Sequence, residues 1–322
     1  MALRVERAPV LHGPFTISAD DIAPLNVLFS NAFTERYRRD GLVGVRVPPL
    51  NPMIWRYAIE GAGAGAMLWR DAAGGIAAFN IAHASGTEGW MGPLAVRDDC
   101  QGSGNGKLVV RAAIAHLVGT GCRTIGLETM PRTVDNIGFY SGLGFVPGPM
   151  TVTLTIEAGA PGPMRNLLSL APAATRDDLV AECAALTARV APGSDYSREI
   201  RLTHELQLGD TLLLRRGSEL VAFALCHAAP LVEGRSRDEL RVLKLVAVDD
   251  AAFHDLLDPL ACLARRTANV RAALRVQGEY PEAYAAVMRA GGRVRWTDLR
   301  MTLDGYPRAE RGAGVALTNW EI

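Results

Sequence analysis

The feature that most constrains the fold of this chain is a repeated order of predicted elements. Between residues 18 and 157, hydrophobic spacing and turn signals predict two helices, three strands, a helix, a strand, a helix and a strand. The same order returns between residues 174 and 303. The copies align where GPLAVRDD corresponds to LKLVAVDD and where FYSGLGF corresponds to AVMRAGG. Identity between the copies is low, so the assignment of a duplication depends on the order of elements.

A segment rich in proline, glycine and alanine separates the two copies. Residues 157–165, EAGAPGPMR, predict a short stiff linker rather than a long flexible tether. The 322 residues are about twice the length of a typical single domain, which favours two domains over 1–160 and 161–322. The order of elements predicts a mixed α/β sheet in each half.

Charge and cysteine content exclude several classes of function. Each half contains equal numbers of basic and acidic residues, 13 of each in residues 1–160 and 21 of each in residues 161–322, so neither half has the positive excess typical of nucleic-acid binding. The five scattered cysteines form no CxxC pair, which favours small buried side chains in a reducing compartment over disulfides or a zinc site. No apolar run is long enough to cross a bilayer, and MALRVERAPVLHG lacks a signal-peptide core. We expect a cytoplasmic protein that binds no membrane, nucleic acid or metal.

A glycine-rich turn, VRDDCQGSGNG followed by Lys107, joins the predicted strand GPLAV to a predicted helix that begins near Gly104. Such a turn points several backbone N–H groups at one spot, at the positive end of the helix dipole, and this arrangement binds phosphate oxygens. Glycines are needed because side chains would block the anion and because some of the backbone angles are open only to glycine. The spacing matches neither GxxxxGK[ST] nor GxGxxG, which disfavours a P-loop or a dinucleotide site.

The spacing of Gln101, Gly104 and Gly106 follows the pattern Q/R-x-x-G-x-G/A, and with it the chain from about residue 15 to 156 resembles the GNAT acyltransferase superfamily. In that family a strand follows, and then a helix that ends in Tyr/Phe-x-x-x-Gly-Phe. Residues 140–145 supply this second pattern at the expected distance. The resemblance implies two tandem domains, each a mostly antiparallel sheet flanked by helices, and transfer of an acyl group from acetyl-CoA to a primary amine of a small molecule or peptide.

The resemblance also implies how the acyl-CoA binds. The pantetheine arm would lie along a strand edge, in a gap between the strands GPLAV and CRTIGLETM, while the pyrophosphate would bind the amides of the glycine turn. A backbone N–H near Leu94 would polarise the thioester carbonyl. Pro93, which lacks an N–H, fits a break in the strand ladder at this point. The implied contacts are Leu94, Ala95 and Val96 for the pantetheine, and Gln101, Gly102, Ser103, Gly104, Asn105, Gly106 and Lys107 for the pyrophosphate.

A further pantetheine contact departs from the family pattern. Many members have an asparagine seven residues before the tyrosine, and Thr133 stands there in this chain. Asn136 is only four residues ahead of the tyrosine. Thr133 and Asn136 are therefore both candidates for this contact.

Tyr140 corresponds to the family tyrosine that often protonates the departing thiolate. A phenol with a pKa near 10 is a suitable acid for a thiol near 8.5. The alternative is an aromatic side chain that only packs on the sheet.

Several residues are candidates for the base that accepts the proton of the acceptor amine. Glu128 points away from Ile125 and Leu127 by strand alternation, so it is either a base in the cleft or an ordinary solvated acid. Some members carry a glutamate at the position of Trp90, and Glu88 is a substitute on the same face. His83 is the remaining titratable candidate.

The second half lacks the features that bind acyl-CoA in the family. DDAAFHDLLDP replaces RDDCQGSGNGK, so no glycines remain, and Asp255 and Asp258 would repel phosphate. Val287 stands at the position of Tyr140. We expect a degenerate copy that either completes the acceptor cleft or mimics the partner subunit of a homodimer, so a monomeric pseudo-dimer and a homodimer both stay open.

Two further readings concern substrate and activity. Residues 36–52, which include Tyr37, occupy the loop that covers the acceptor site in this superfamily. The four arginines of this segment hint at an acceptor with a carboxylate or phosphate; they are Arg36, Arg38, Arg39 and Arg46. The alternative function is a non-catalytic acyl-CoA-binding or regulatory protein. It is kept because Trp90 stands where some family members carry the glutamate base.

Overall fold

The computed structural model describes residues 10–160, 162, 164, 166–309 and 312–321. Pro161, Pro163 and Arg165 of the predicted linker lie outside the described residues. The first half (residues 1–160) contains β1 (His12–Thr16), α1 (Ile22–Arg39), α2 (Pro52–Ala62), β2 (Ala66–Arg70), β3 (Ile76–Ser85), β4 (Glu88–Val96), α3 (Asn105–Gly119), β5 (Thr124–Thr129), α4 (Val134–Ser141) and β6 (Phe145–Glu157).

The second half (residues 161–322) repeats this order. It contains α5 (Arg176–Val190), α6 (Ser197–Glu205), β7 (Gly209–Arg216), β8 (Glu219–His227), β9 (Glu239–Ala247), α7 (Asp250–Arg266), β10 (Arg271–Gln277), α8 (Pro281–Arg289), β11 (Arg293–Leu303) and β12 (Val315–Thr318). The prediction of a mixed α/β fold with a repeated element order is confirmed. The sequence analysis did not predict β1 or β12.

Local signals start the helices where the sequence indicates. The Ser18 N–H and hydroxyl both donate to the Asp21 carboxylate, at 2.9 and 2.7 Å, in the short turn before α1. The Asn51 side chain accepts the Met53 N–H at 3.0 Å, and Pro52 is the first residue of α2.

All twelve strands belong to one sheet. Its order is β1-β2-β3-β4-β5-β11-β6-β10-β9-β8-β7, and β12 pairs with β9 beside this path. The two halves exchange strands at the centre. β11 pairs antiparallel with β5 from Leu299↔Thr129 to Thr302↔Gly126, and β6 pairs antiparallel with β10 from Arg271↔Glu157 to Gln277↔Thr151. Each half therefore contributes a strand to the sheet of the other.

Helices cover both faces of the sheet, with a buried apolar cluster under each pair. In the first half, the cluster under α3 and α4 includes Val110, Ile125 and Leu127, and the cluster under α1 and α2 includes Leu25, Trp55 and Phe79. In the second half, α7 and α8 cover a cluster with Phe253, Leu260 and Val287, and α5 and α6 cover one with Leu186, Ile200 and Phe223. The two faces of the sheet are thus separately packed.

Two other sequence expectations can be compared with the described residues. Cys100, Cys122, Cys183 and Cys226 are buried free thiols, and Cys262 is half-buried. No helix in the described ranges has both the length and the apolar character needed to cross a membrane.

Candidate active site

The glycine turn takes the left-handed backbone angles expected for glycine. Gly102 has φ +79° and Gly104 has φ +89°, and α3 begins directly after Gly104. A Cβ atom added at either glycine would meet no other atom within 4 Å, so the space in front of the turn is open. The first amides of an α-helix have no acceptor within the helix. The turn therefore presents polar N–H groups to an open space, as an anion site requires.

Side chains of the turn hold its own backbone. Gln101 Nε2 donates to the carbonyl oxygen of Val96 at 2.8 Å and to Asp98 Oδ1 at 3.0 Å. Ser103 Oγ and Asn105 Nδ2 both donate to the carbonyl oxygen of Cys100, at 3.3 and 2.9 Å. These contacts fix the turn against the end of β4, and they explain why a polar side chain stands at position 101.

Directly before the turn, β4 and β5 separate. They pair in parallel from Glu88↔Thr124 to Met91↔Leu127, and no pair is formed beyond that point among the described residues. On its other edge, β4 shifts register against β3 between Met91↔Ala82 and Leu94↔Asn80. Gly92 and Pro93 thus form a bulge opposite a single residue. The break expected at Pro93 is present, and Leu94, Ala95 and Val96 lie along the gap.

Tyr140 lies on α4 near the start of this gap. It is 8% exposed, and its ring packs against the rings of Phe139 and Phe145 at centroid distances of 5.2 and 6.0 Å. It belongs to the same apolar cluster as Met91 and Leu127, the last pair of the β4–β5 ladder. Burial raises the pKa of Tyr140, so the hydroxyl keeps its proton at neutral and mildly alkaline pH.

Residues 31–145 match the sequence model of the acetyltransferase (GNAT) family. This match lies within the first half and covers 115 of the 322 residues. The comparison with curated protein sequences gives no significant match.

Solved structures extend the likeness to the whole chain. A candidate acetyltransferase from Pyrococcus horikoshii is 16% identical, with a TM-score of 0.66 over 98% of this chain and 95% of that one. The N-myristoyltransferase of Saccharomyces cerevisiae, solved with myristoyl-CoA, is 10% identical, with a TM-score of 0.65 over 95% and 82%. A tandem GNAT protein from the clavulanic acid biosynthesis pathway is 11% identical, with a TM-score of 0.57 over 93% and 100%. At these identities the likeness concerns the fold, which is a tandem GNAT fold.

The second GNAT-like half has the corresponding gap, but a strand fills it. β9 and β10 pair only from Arg271↔Glu239 to Ala273↔Arg241. Beyond that point β12 pairs with β9, from Thr318↔Lys244 to Val315↔Ala247. The sequence alignment places Leu245, Val246 and Ala247 at the positions of Leu94, Ala95 and Val96. The strand edge that corresponds to the first half's open gap is therefore occupied by the chain's own backbone. The four-residue run VALT gave too weak a signal to predict this.

The N-terminus of α7, the helix that follows β9, is capped by a side chain of the chain itself. The Asp249 side chain accepts the Ala252 N–H at 2.6 Å at the start of α7. Arg216 pairs with Asp249 at 3.0 Å and with Asp255 at 3.4 Å. A carboxylate of the chain thus lies where the first half presents open amides.

Glu128, a predicted base, lies in a buried ion-pair cluster. Its side chain is 1% exposed, and its two oxygens lie 2.8 Å from Arg275 Nη2 and 2.8 Å from Arg300 Nε. The Thr151 hydroxyl also donates to it. Burial alone would raise the pKa of Glu128, but the two arginines and Thr151 outweigh it and hold the pKa at about 2. A carboxylate with this pKa is a poor proton acceptor near neutral pH. Sequence reasoning could not foresee these partners, because they lie 147 and 172 residues away.

The Glu88 carboxylate is also buried and hydrogen-bonded. It accepts hydrogen bonds from the Tyr196 hydroxyl at 3.2 Å, from Trp320 Nε1 at 2.9 Å and from the Thr318 hydroxyl at 3.3 Å. All three donors belong to the second half. Glu88 therefore joins the C-terminal segment and α6 to the start of β4.

His83 and Trp90 form a stacked pair between β3 and β4. Their ring centroids are 4.0 Å apart, and Lys244 Nζ lies 5.6 Å from the Trp90 centroid. Burial and the positive charge of Lys244 lower the pKa of His83 to about 3. His83 is consequently neutral at physiological pH.

Thr133 and Asn136, predicted near the pantetheine, both have partners in the protein. Thr133 is fully buried, and its hydroxyl donates to the Asp40 carboxylate. Asn136 Nδ2 lies 3.4 Å from Thr129 Oγ1. Thr133 could donate a hydrogen bond to a ligand only in place of its bond to Asp40.

The arginines predicted near the acceptor fall into two groups. Arg38 and Arg39 lie in the last turn of α1 rather than in a loop, and both pair with Glu35, at 2.7 and 2.8 Å. Arg46 is exposed in the segment before α2. Tyr37 faces Trp296 of β11, with ring centroids 6.3 Å apart.

In the described ranges, no group of three or more His, Cys, Asp or Glu side chains is arranged to hold a metal ion.

Proposed function

We propose that the chain is an acyl-CoA-dependent N-acyltransferase, with acetyl-CoA as the simplest donor and a primary amine as the acceptor. The observation that carries this proposal is the open glycine turn at the start of α3, placed directly after a strand that separates from its parallel neighbour. An anion site and a free strand edge in this order suit a molecule with a pyrophosphate and an amide-bearing arm.

The donor would bind along these two features. The pyrophosphate would contact the amides from Gln101 to Lys107. The pantetheine arm would pair with the backbone of Leu94, Ala95 and Val96, as an added strand does. The residues fit this role, because a side chain at Gly102 or Gly104 would occupy the space that the anion needs.

The reaction would be direct attack of the amine on the thioester carbonyl carbon. A backbone N–H near Leu94 would stabilise the oxyanion, and Tyr140 would give its proton to the departing thiolate. The raised pKa of Tyr140 keeps the hydroxyl protonated throughout the working range, as an acid requires, and the same shift makes it a weaker proton donor than a free phenol. Glu128 and Glu88 receive no base role in this proposal, since arginines or hydrogen-bond donors already engage both carboxylates.

The proposal assigns catalysis to residues 1–160 and treats residues 161–322 as a degenerate copy. The filling of the second gap by β12 and the Asp249 cap on α7 support this division of roles. The acceptor would be a small molecule or a peptide with a primary amine.

The test is release of free CoA thiol from acetyl-CoA in the presence of a panel of primary amines, including amino acids, polyamines and short peptides. We expect Tyr140→Phe to lower kcat by about 10²-fold or more, with the dissociation constant for acetyl-CoA unchanged, because only the proton transfer is lost. Tyr284→Phe, a change on α8 of the second half, is the matched control and should behave as wild type.

The outcomes separate the two functions considered. Tight acetyl-CoA binding without turnover of any amine would favour the non-catalytic acyl-CoA-binding or regulatory protein. Failure to bind acetyl-CoA at all would contradict both.

A further inference from the structure

A cavity on the face of the sheet opposite α3 and α4 is lined by both halves. His83 and Trp90 come from β3 and β4, and Glu199, Lys244 and Glu321 come from the second half. Trp90 points to this face because the next residue, Met91, packs in the cluster under α3. None of these residues is assigned a role in the proposed function.

The cavity lies beside the end of the β4–β5 ladder. Trp90, in its lining, belongs to one of the last two pairs of that ladder, and its partner His83 lies against the backbone of Gly92. In the proposed function, the thioester carbonyl lies near Leu94, further along β4. An acceptor that approached from the cavity would reach the carbonyl from the face opposite the cluster that holds Tyr140.

The C-terminal segment carries Glu321 to this cavity. After β12 fills the gap beside β9, Trp320 packs against β5 at Gly126, where a Cβ atom would lie 2.3 Å from the indole ring. The Glu321 N–H then donates to Asn319 Oδ1 at 2.9 Å. A residue of the second half is thus held in a cavity that His83 and Trp90 of the first half also line.

Glu321 differs from the other carboxylates of the sheet centre in its access to solvent. Its side chain is 50% exposed, against 1% for Glu128 and 3% for Asp298. The Arg275 guanidinium forms ion pairs with all three carboxylates. Nη1 lies 2.8 Å from Glu321, and Nη2 lies 2.8 Å from Glu128 and 2.9 Å from Asp298. One guanidinium is shared by three carboxylates, and Glu321 is the one that an incoming molecule can reach.

We propose that Glu321 accepts the proton that the acceptor amine loses in acyl transfer by the first half. This inference rests on the proposed function and adds a catalytic residue to it. The buried half of the Glu321 side chain raises its pKa, the negative charges of Asp298 and Glu128 raise it further, and the positive charges of Arg275 and Arg241 oppose the rise, which leaves the pKa at about 7. A base with this pKa is well matched to neutral pH.

The charged and titratable groups around Glu321 come from several elements. The groups that interact with it electrostatically are Tyr37 on α1, Glu128 on β5, Arg241 on β9, Arg275 on β10 and Asp298 on β11. The titratable and charged groups that share its cavity are Tyr57, His83, Arg198, Glu199 and Lys244.

The acceptor nitrogen loses two protons in the reaction. The acceptor arrives as an ammonium ion, and its proton passes to Glu321, which later releases it to water. The free nitrogen attacks the thioester carbon, so that a C–N bond forms and the C–S bond breaks. In that step the sulfur gains the proton of Tyr140, and the second proton that the nitrogen loses returns to the Tyr140 phenolate. Each turnover therefore releases one proton to water, and CoA leaves as the neutral thiol.

The first test uses acetyl-CoA and the amine of the panel that wild type acetylates fastest. We expect Glu321→Gln to lower kcat/KM by about 10²-fold and to abolish the rise in kcat/KM through pH 7, with acetyl-CoA affinity unchanged. In Glu321→Ala, added acetate should restore part of the activity. Glu182→Gln, which removes a carboxylate with a single arginine partner elsewhere in the second half, should match wild type.

The second test needs no acceptor. In protein labelled with ¹³C at the glutamate carboxyls, the resonance missing from Glu321→Gln should titrate with a midpoint near 7. A midpoint near the ordinary glutamate value, or wild-type activity in Glu321→Gln, would overturn this inference and leave the proposed function intact. Absence of turnover by wild type with every amine would remove the proposed function and this inference together.

Discussion

Gly102 and Gly104 show how single residues prepare the candidate donor site. Both have positive φ angles, and both face open space. The polar side chains beside them, Gln101 and Ser103, bond to the backbone of the same segment. The side chains therefore fix the turn and leave the space in front of the two glycines open.

The Gly104→Leu variant tests whether the glycine turn binds the acyl donor. An L-residue is strained at φ +89°, and its side chain would enter the space in front of the turn. We expect the acetyl-CoA dissociation constant, measured by calorimetry, to rise at least 10-fold (about 1.4 kcal/mol). The control is Gly74→Leu, which has φ +83° and open surroundings in the turn between β2 and β3. Equal affinity in the two variants would contradict an amide site at the turn.

At the scale of elements, Glu128 joins three strands that come from both halves. It lies on β5, and its arginine partners lie on β10 and β11. The carboxylate is buried with both cations, so its loss would leave two buried positive charges with too few partners. The cluster is therefore expected to stabilise the junction of the halves.

Glu128→Gln should lower the free energy of unfolding by about 3 to 5 kcal/mol, measured by urea denaturation at pH 7. Glu60→Gln removes an exposed pair with Arg56 and should cost about 1 kcal/mol or less. A similar small effect in both variants would show that the buried cluster is not stabilising.

The same carboxylate predicts a dependence of stability on pH. Its folded pKa of about 2 is below the ordinary 4.5, so its contribution is complete above pH 4.5 and is lost as pH falls toward 2. The difference in unfolding free energy between wild type and Glu128→Gln should therefore shrink across this range. A constant difference would indicate that Glu128 does not titrate there.

At the scale of the whole molecule, the halves are joined by exchanged strands. β11 lies between β5 and β6, and β6 lies between β11 and β10. If the halves were separated, β5 and β10 would each lose one neighbouring strand, β6 and β11 would each lose both, and all four would expose unpaired backbone. The repeat in the sequence thus does not correspond to two independent sheets.

We expect residues 1–160 expressed alone to be aggregated or unfolded by circular dichroism and size-exclusion chromatography. Co-expression with residues 161–322 should restore a soluble complex, because the missing strands are then supplied in trans. A soluble fragment 1–160 that unfolds cooperatively and binds acetyl-CoA would contradict this prediction.

The sequence by itself determined the features that depend on neighbouring residues. The spacing of Gln101, Gly104 and Gly106, the helix starts at Ser18 and Asn51, and the element order follow from local backbone preferences and hydrophobic periodicity. The GNAT fold and the form of the glycine turn could be predicted for that reason. The family match over residues 31–145 depends on this same stretch.

Only the tertiary structure decided which strands pair and which charges meet. The exchange of β6 and β11, the filling of the second gap by β12, and the arginines around Glu128 join residues far apart in the chain. Periodicity shows which face of a strand is buried, but the choice of neighbour depends on packing and backbone pairing across the whole molecule. For that reason the position of Glu321 could not be predicted from the sequence.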